Sequence, residues 1–246
     1  MADTASKMVR FKIQGRECEG REGESLLAAI RRAGFEVPSM CYHEAVSPYG
    51  ACRLCLVEVK KGRKAKLTTS CNYPVQAGIE VLLDTAAVSR HRRMNLMLLM
   101  AAAPAARSVQ ALAARYGITS TPFRVEPGEA CIHCGLCSRV CAEIVGAHAL
   151  GFAGRGVHKH LTTPYEESSA DCIGCGACAV ICPTGCVKVE DAGGYRIIER
   201  WHFKVPLQSC QVCGRSFAPE VQLKRFAAQV HAQPSRFATC PDCRPA

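Results

Sequence analysis

Eighteen cysteines in 246 residues constrain this chain more than any other feature. Twelve of them fall into five groups spaced Cys-x2-Cys: Cys52 and Cys55; Cys131, Cys134 and Cys137; Cys172, Cys175 and Cys178; Cys210 and Cys213; Cys240 and Cys243. This spacing brings neighbouring thiolates to one metal centre, whereas a disulfide scaffold has no reason to repeat it. Aromatic residues make up only 6% of the chain. Several small modules built around metal are therefore expected rather than one large apolar core. The opening "MADTASKMVRFKIQG" is polar and then strand-like, which predicts no leader and a reducing, cytoplasmic location. The net charge of +10 gathers in "KKGRKAK" and "RHRR". Both runs read as solvated surface, although a basic face could also guide an acidic redox partner. No reader helix or pattern of stacking aromatics points to nucleic acid.

Along the chain the pattern is α+β. Residues 1–83 read as a β-grasp-like module: "MVRFKI" alternates as a strand, "CEG" opens a return strand, and "ESLLAAIRRAG" is a short helix ending at Gly34. "CLVEVKKGRKAKLTTSC" gives two strands around a basic turn, and "GIEVLL" a last strand. Residues 84–124 form a helical linker divided by Pro104. Its apolar stretch, Met94 to Ala106, is too short to span a bilayer. Residues 125–200 contain the near-copies "CIHCGLCSRVC" and "CIGCGACAVIC", one pseudo-symmetric unit followed by a strand or hairpin. Residues 201–246 form a tail with its own cysteine pairs.

Three sets of residues carry chemistry. Cys41, Cys52, Cys55 and Cys71 pair two close cysteines with two outlying ones on a loop-rich sheet. That suits a 2Fe-2S cluster, with zinc on the same ligands as the alternative. Gly50 would let the backbone wrap tightly, and Cys18 reads as a small packing residue. The duplicated run follows the Cys-x2-Cys-x2-Cys-x3-Cys ferredoxin signature, in which the fourth cysteine of each run serves the other cluster. Cys131, Cys134, Cys137 and Cys182 would then hold one 4Fe-4S cluster, and Cys172, Cys175, Cys178 and Cys141 the second. Pro183 follows the second run as expected, Ala142 replaces it after the first, and Cys186 reads as packing. Cys210, Cys213, Cys240 and Cys243 look like the two knuckles of a zinc ribbon around a helical insert, with iron as the alternative. His43 and His133 lie where they could tune a cluster, while His158, His160 and His231 read as surface. No phosphate loop, dinucleotide fingerprint or Ser/His/Asp set is present, so no catalytic site of its own is expected.

The segments "PSMCYHEAVSPYGACRLCLVEV" and "TSCNYPVQAGIEV", followed by the double run, resemble the small iron-sulfur diaphorase subunit of NAD-linked bidirectional hydrogenases. They equally resemble the N-terminal iron-sulfur region of the complex I large subunit and of NAD-dependent formate dehydrogenases. The resemblance implies an electron-transfer subunit of a hetero-oligomer, placed between a flavin/NAD(H) subunit and a catalytic subunit. It also implies a further cluster motif of one histidine and three cysteines between the two ferredoxin parts. Here "AAPAARSVQALAARYG" keeps Pro104, has Ala103 at the histidine position and lacks the cysteines. The tail is a second departure. An iron-sulfur subunit of a succinate dehydrogenase or fumarate reductase is the runner-up, disfavoured because both cluster runs here are regular. A cluster-based redox sensor is a third reading, supported by the basic charge alone.

Overall fold

The computed structural model describes residues 7–244; the first six residues of the polar opening lie outside the described residues. The chain divides into two compact units, residues 1–134 and residues 135–246.

In the first unit the alternation of β1 (Met8–Ile13) buries Val9, Phe11 and Ile13 and exposes the residues between. Gln14 and Gly15, both left-handed, turn the chain into antiparallel β2 (Arg16–Arg21). Helix α1 (Leu26–Arg32) buries Leu26, Leu27, Ala29 and Ile30 against the sheet and ends at left-handed Gly34. The hairpin of β3 (Leu56–Lys61) and β4 (Lys64–Thr69) follows, then β5 (Glu80–Leu82). The sheet order is β2-β1-β5-β3-β4, with β5 parallel to β1 and antiparallel to β3. Cys18 packs, half-buried, on this core. The basic run occupies the turn and the edge strand β4, where exposed lysines discourage pairing with another chain.

Helices α2 (Ala86–Ala102) and α3 (Arg107–Arg115) meet around Pro104, as the sequence predicts. Thr85 caps α2 by accepting the Val88 N–H at 3.3 Å. Ala103 and Ala106 are completely buried. The Glu126 N–H bonds the Ala101 carbonyl, and the Ala105 N–H bonds the Glu129 carbonyl, at 3.0 Å each. Where the resemblance implies a further cluster motif, the backbone is thus closed by small side chains. One expectation fails here. "RHRR" is not all solvated surface: Arg92 is only 3% exposed and donates to the Leu56 carbonyl at 2.6 Å. It shares a buried helical stripe with Val88, Leu96 and Met100, four residues apart, so α2 turns it inward.

In the second unit, helices α4 (Leu136–Arg139) and α5 (Ala177–Val180) occupy equivalent places in the two cysteine runs. Each starts from a left-handed glycine, Gly135 (φ 67°) or Gly176 (φ 77°), so the sequence repeat is also a conformational repeat. A wide helical turn, Val140–Ile144, extends α4. Strands β6 (Gly151–Ala153) and β7 (His160–Thr162) form a short hairpin where the sequence suggests only loop. His160 therefore opens a strand, with its ring between the His158 carbonyl and Glu166, 2.8 Å from each. A four-stranded antiparallel sheet of order β11-β10-β9-β8 follows, from β8 (Glu190–Ala192), β9 (Tyr195–Ile198), β10 (Phe203–Ser209) and β11 (Ser216–Pro219). Pro206 is tolerated in β10 because it faces only Tyr195 of β9, and pairing with β11 begins at Leu207. The sheet runs across residue 200, joining the end of the ferredoxin segment to the tail. Helix α6 (Glu220–Gln229) is the helical insert between the last two cysteine pairs.

Candidate cluster and metal centres

The loop from α1 to β3 carries Cys41, Cys52 and Cys55, and Cys71 follows β4; all four are at most 2% exposed. The Met40 N–H points at Cys52 Sγ and the Cys52 N–H at Cys41 Sγ, each 3.4 Å. Gly50 sits at φ 74°, where an added Cβ would meet the Asn72 amide at 3.1 Å. Ser70 Oγ donates to the Cys55 carbonyl at 2.8 Å and fixes the loop. The hydrogen bond with Cys41, reinforced by burial, pushes the Cys52 thiol far up, and the bond with Cys55 does the same to Cys71. Cys55, favoured by its bond with Cys71, comes down to about 7. Four buried thiols so placed can all ionise only beside a cation, which a 2Fe-2S core provides. His43 does not serve through Nδ1, which accepts the Ala45 N–H at 3.1 Å.

Within the second unit, Cys141, Cys172, Cys175 and Cys178 line one cavity together with Val145, Ala149, Ile173, Ile198 and Trp201. Burial pushes the Cys172 and Cys178 thiols up to about 11 each and raises Cys141 as well. An apolar chamber ringed by four thiols fits a 4Fe-4S core, whose iron would hold them as thiolates.

The other predicted set begins in the first unit. Cys131 and Cys134 are buried, and the Glu129 carboxylate accepts the N–H groups of Ala130 and Cys131 at 2.7 Å each. His133, left-handed at φ 50°, directs its backbone N–H to Cys131 Sγ at 3.4 Å. In the second unit Cys137 is buried on α4, and Cys182 lies 3.6 Å from Cys186 Sγ. That contact, with burial, pushes Cys182 up to about 12. Cys186 packs on the core, as its position suggests.

Cys210, Cys213, Cys240 and Cys243 have all four Sγ atoms within 4.8 Å of one another. Tetrahedral metal–sulfur arms of about 2.3 Å give edges of about 3.8 Å, the separation of Cys213 and Cys240 (3.8 Å). Gly214 (φ 73°) turns the first knuckle, and the Cys240 N–H donates to Cys210 Sγ at 3.3 Å. That N–H and the Cys213 N–H bring Cys210 down to about 6, while hydrogen bonds with the Cys240 and Cys213 sulfurs push Cys243 up to about 12. Arg215 Nη2 lies 3.6 Å from Cys240 Sγ and is paired with Asp242. Sequence reasoning missed Arg215, although its place two residues after Cys213 was a usable signal. It also missed Arg196 and Trp201, which touch the second cysteine run from about twenty residues away.

Residues 6–86 match the model of a 2Fe-2S iron-sulfur cluster binding domain, and residues 130–186 match that of a 4Fe-4S dicluster domain. The G 2 subunit of the NADH-quinone oxidoreductase of Rhizobium meliloti (strain 1021) is 30% identical over 234 residues, covering 84% of this chain and 27% of that protein. The G subunit of the NADH-quinone oxidoreductase of Rickettsia felis is 30% identical over 205 residues, 74% of this chain and 30% of that one. The alpha subunit of an NADPH-Fe(3+) oxidoreductase of Geobacter sulfurreducens is 29% identical over 202 residues, 72% of this chain and 24% of that one. The chain thus spans less than a third of the length of these curated relatives. A chain in the crystal structure of an NAD+-reducing [NiFe]-hydrogenase in the H2-reduced state superposes with a TM-score of 0.56 at 28% identity, covering 63% of this chain and 74% of that one. Among the described residues no helix is long and apolar enough to cross a membrane.

Proposed function

Because the chain belongs to the iron-sulfur subunit family of complex I-type and NAD-linked hydrogenase assemblies, we propose that it relays electrons singly within a hetero-oligomeric oxidoreductase. Its partners in this reading are a flavin/NAD(H)-binding subunit and a catalytic subunit acting on hydrogen, formate or a similar substrate. The carrying observation is that two four-thiol sets are gathered in separately folded surroundings. Cys41, Cys52, Cys55 and Cys71 lie in the first unit, and Cys141, Cys172, Cys175 and Cys178 around a cavity in the second.

On this reading the first set holds a 2Fe-2S cluster, the second a 4Fe-4S cluster, and Cys131, Cys134, Cys137 and Cys182 another 4Fe-4S cluster. Bound clusters supply one-electron stations. The chain's part is to exclude water with residues such as Ile173 and Ile198, and to aim N–H groups at the sulfurs. The all-thiol set Cys210, Cys213, Cys240 and Cys243, with no open position, suits a structural zinc. Functionally the chain then reads as a 2Fe-2S part (1–83), a helical linker (84–124), a dicluster part (125–200) and a zinc-ribbon-like tail (201–246). The role requires neither nucleic acid nor insertion in a membrane, and reduced thiols suit the cytoplasm.

Protein purified without oxygen should contain about ten irons, two from the 2Fe-2S and four from each 4Fe-4S cluster, and about one zinc. NADH should bleach its visible absorbance when a co-purifying flavoprotein is present. An iron content near two, or no bleaching with the flavoprotein bound, would overturn the reading.

A further inference from the structure

The second cysteine run is closed by residues outside the matched dicluster domain, which ends at residue 186. Trp201, the only tryptophan in the chain, sits in the turn between β9 and β10 and is 1% exposed. Its Nε1–H donates to Cys178 Sγ at 3.4 Å, and its ring lines the chamber formed by Cys141, Cys172, Cys175 and Cys178. A buried indole N–H takes an acceptor wherever one is in reach, and here the acceptor is a ligand sulfur. Arg196 on β9 grips Asp191 through two 2.7 Å bonds, and its Nη1 donates to the Gly174 carbonyl at 3.1 Å. Phe203 and Pro219 close over Gly174, where an added Cβ would meet them at 2.9 and 3.1 Å. The sheet therefore fixes the loop against which the indole points.

We propose that Trp201 is a positioning residue that raises the reduction potential of the cluster held by Cys141, Cys172, Cys175 and Cys178, with Arg196 holding the loop in register. The inference rests on the proposed 4Fe-4S occupancy of those cysteines. Reduction adds one electron to the cluster and its thiolates, and no bond forms or breaks. The added negative charge spreads onto the sulfurs, so an N–H dipole aimed at one of them favours the reduced state. Asp191 pairs with Arg196, and the indole dipole adds to the backbone N–H groups of Ala149, Leu150, Gly174 and Ala179 that already face these sulfurs.

The test is an EPR-monitored redox titration of the full holo chain, wild type against Trp201→Phe, with iron counted in both. The variant keeps an aromatic ring and removes the donor together with part of the indole's bulk, which the iron count and the other two centres control for. One 4Fe-4S centre should become about tenfold harder to reduce, about 59 mV more negative for a one-electron couple, while the other two centres stay in place. Wild type holding far fewer than about ten irons would sink the occupancy reading itself. Full iron with unmoved midpoints would sink the inference alone, and a shift of all three centres would assign Trp201 a merely structural role. If Trp201→Phe does not fold, wild-type protein carrying 15N-tryptophan answers the same question. Electron–nuclear double resonance of the reduced protein should show a 15N coupling to one 4Fe-4S centre, and no coupling overturns the proposal.

Discussion

Gly174 offers the most quantitative test of how the second unit encloses its cysteine loop. Its φ of 66° lies in the left-handed region, which costs an L residue about 1–2 kcal/mol. In Gly174→Ala the new methyl would also meet Phe203 Cε1 at 2.9 Å and Pro219 Cγ at 3.1 Å. Both neighbours are rings held on paired strands, and Phe203 is 4% exposed, so neither can swing aside. Overpacking of this kind adds about 1–3 kcal/mol. Gly193 is the internal control, because its φ is 58° but nothing lies within 4 Å of an added methyl. Gly193→Ala should therefore carry only the backbone cost. Each kcal/mol moves the melting of a domain near this size by roughly 4 °C or more. Gly174→Ala should melt at least about 4 °C below Gly193→Ala at one scan rate. Trp201 emission is the probe, since the only tryptophan lies in this unit beside Cys178. Equal melting of the two variants would refute the enclosure of Gly174 by Phe203 and Pro219.

His160 should titrate above the ordinary imidazole value, held there first by the His158 carbonyl and then by Glu166. Any stability it contributes is full below the ordinary value and is lost as pH rises through the raised midpoint. NMR titration of Glu166→Gln should show the midpoint falling yet staying above ordinary, and an unmoved midpoint would remove Glu166 from the account. Ala103→His, which restores the histidine that the family resemblance implies, should destabilise the first unit by about 1–3 kcal/mol in urea unfolding because Ala103 has no exposed surface. A neutral result would mean that space for the motif persists. Cys240→Ser should release the tail metal, measurable as about one zinc lost per chain, with iron content unchanged; parallel loss of iron would show that the tail metal supports the clusters.

Local pattern made much of this legible. The alternation in β1, the apolar stripe of α1, the Gly34 stop and the Pro104 break each depend on residues within one turn or one strand. The Cys-x2-Cys groups were readable because their spacing is local, whereas placing Cys141 with Cys172, Cys175 and Cys178 took the ferredoxin signature. Trp201 and Arg196 were not, since they reach Cys178 and Gly174 only after a hairpin has folded back, and no periodicity encodes that register. Arg92 is a different case. Its four-residue spacing with Val88, Leu96 and Met100 was present in the sequence, but the neighbouring basic residues of "RHRR" masked it. For His43, adjacency to Cys41 says nothing of where the ring turns, and the Ala45 N–H claims its Nδ1.

The two units should respond oppositely to loss of iron. In the first, Cys55 and Cys71 are two of the sixteen residues in the buried cluster under the sheet, and the rest are apolar side chains from the sheet, α1 and their loops. That core owes little to metal, so the sheet should survive without it. In the second, Cys137 and Cys178 are two of the seven residues in the buried cluster around Trp201, with Cys172, Cys182 and Cys186 packed against it. Without metal Cys172 and Cys178 stay protonated, since burial pushes each up to about 11, and the proposed bonds tying Cys141 of the Val140–Ile144 turn to Cys178 of α5 are lost. Iron chelation of the full chain under reducing conditions, followed by hydrogen exchange read by mass spectrometry, separates the two. Amides of β1 and β3 should stay protected while those of residues 136–144 and 172–182 exchange freely. If the latter remain as slow as β1, then Leu161, Val187, Ile198, Trp201 and Phe203 suffice to hold the second unit, and its cysteines are ligands placed on a fold rather than part of what makes it.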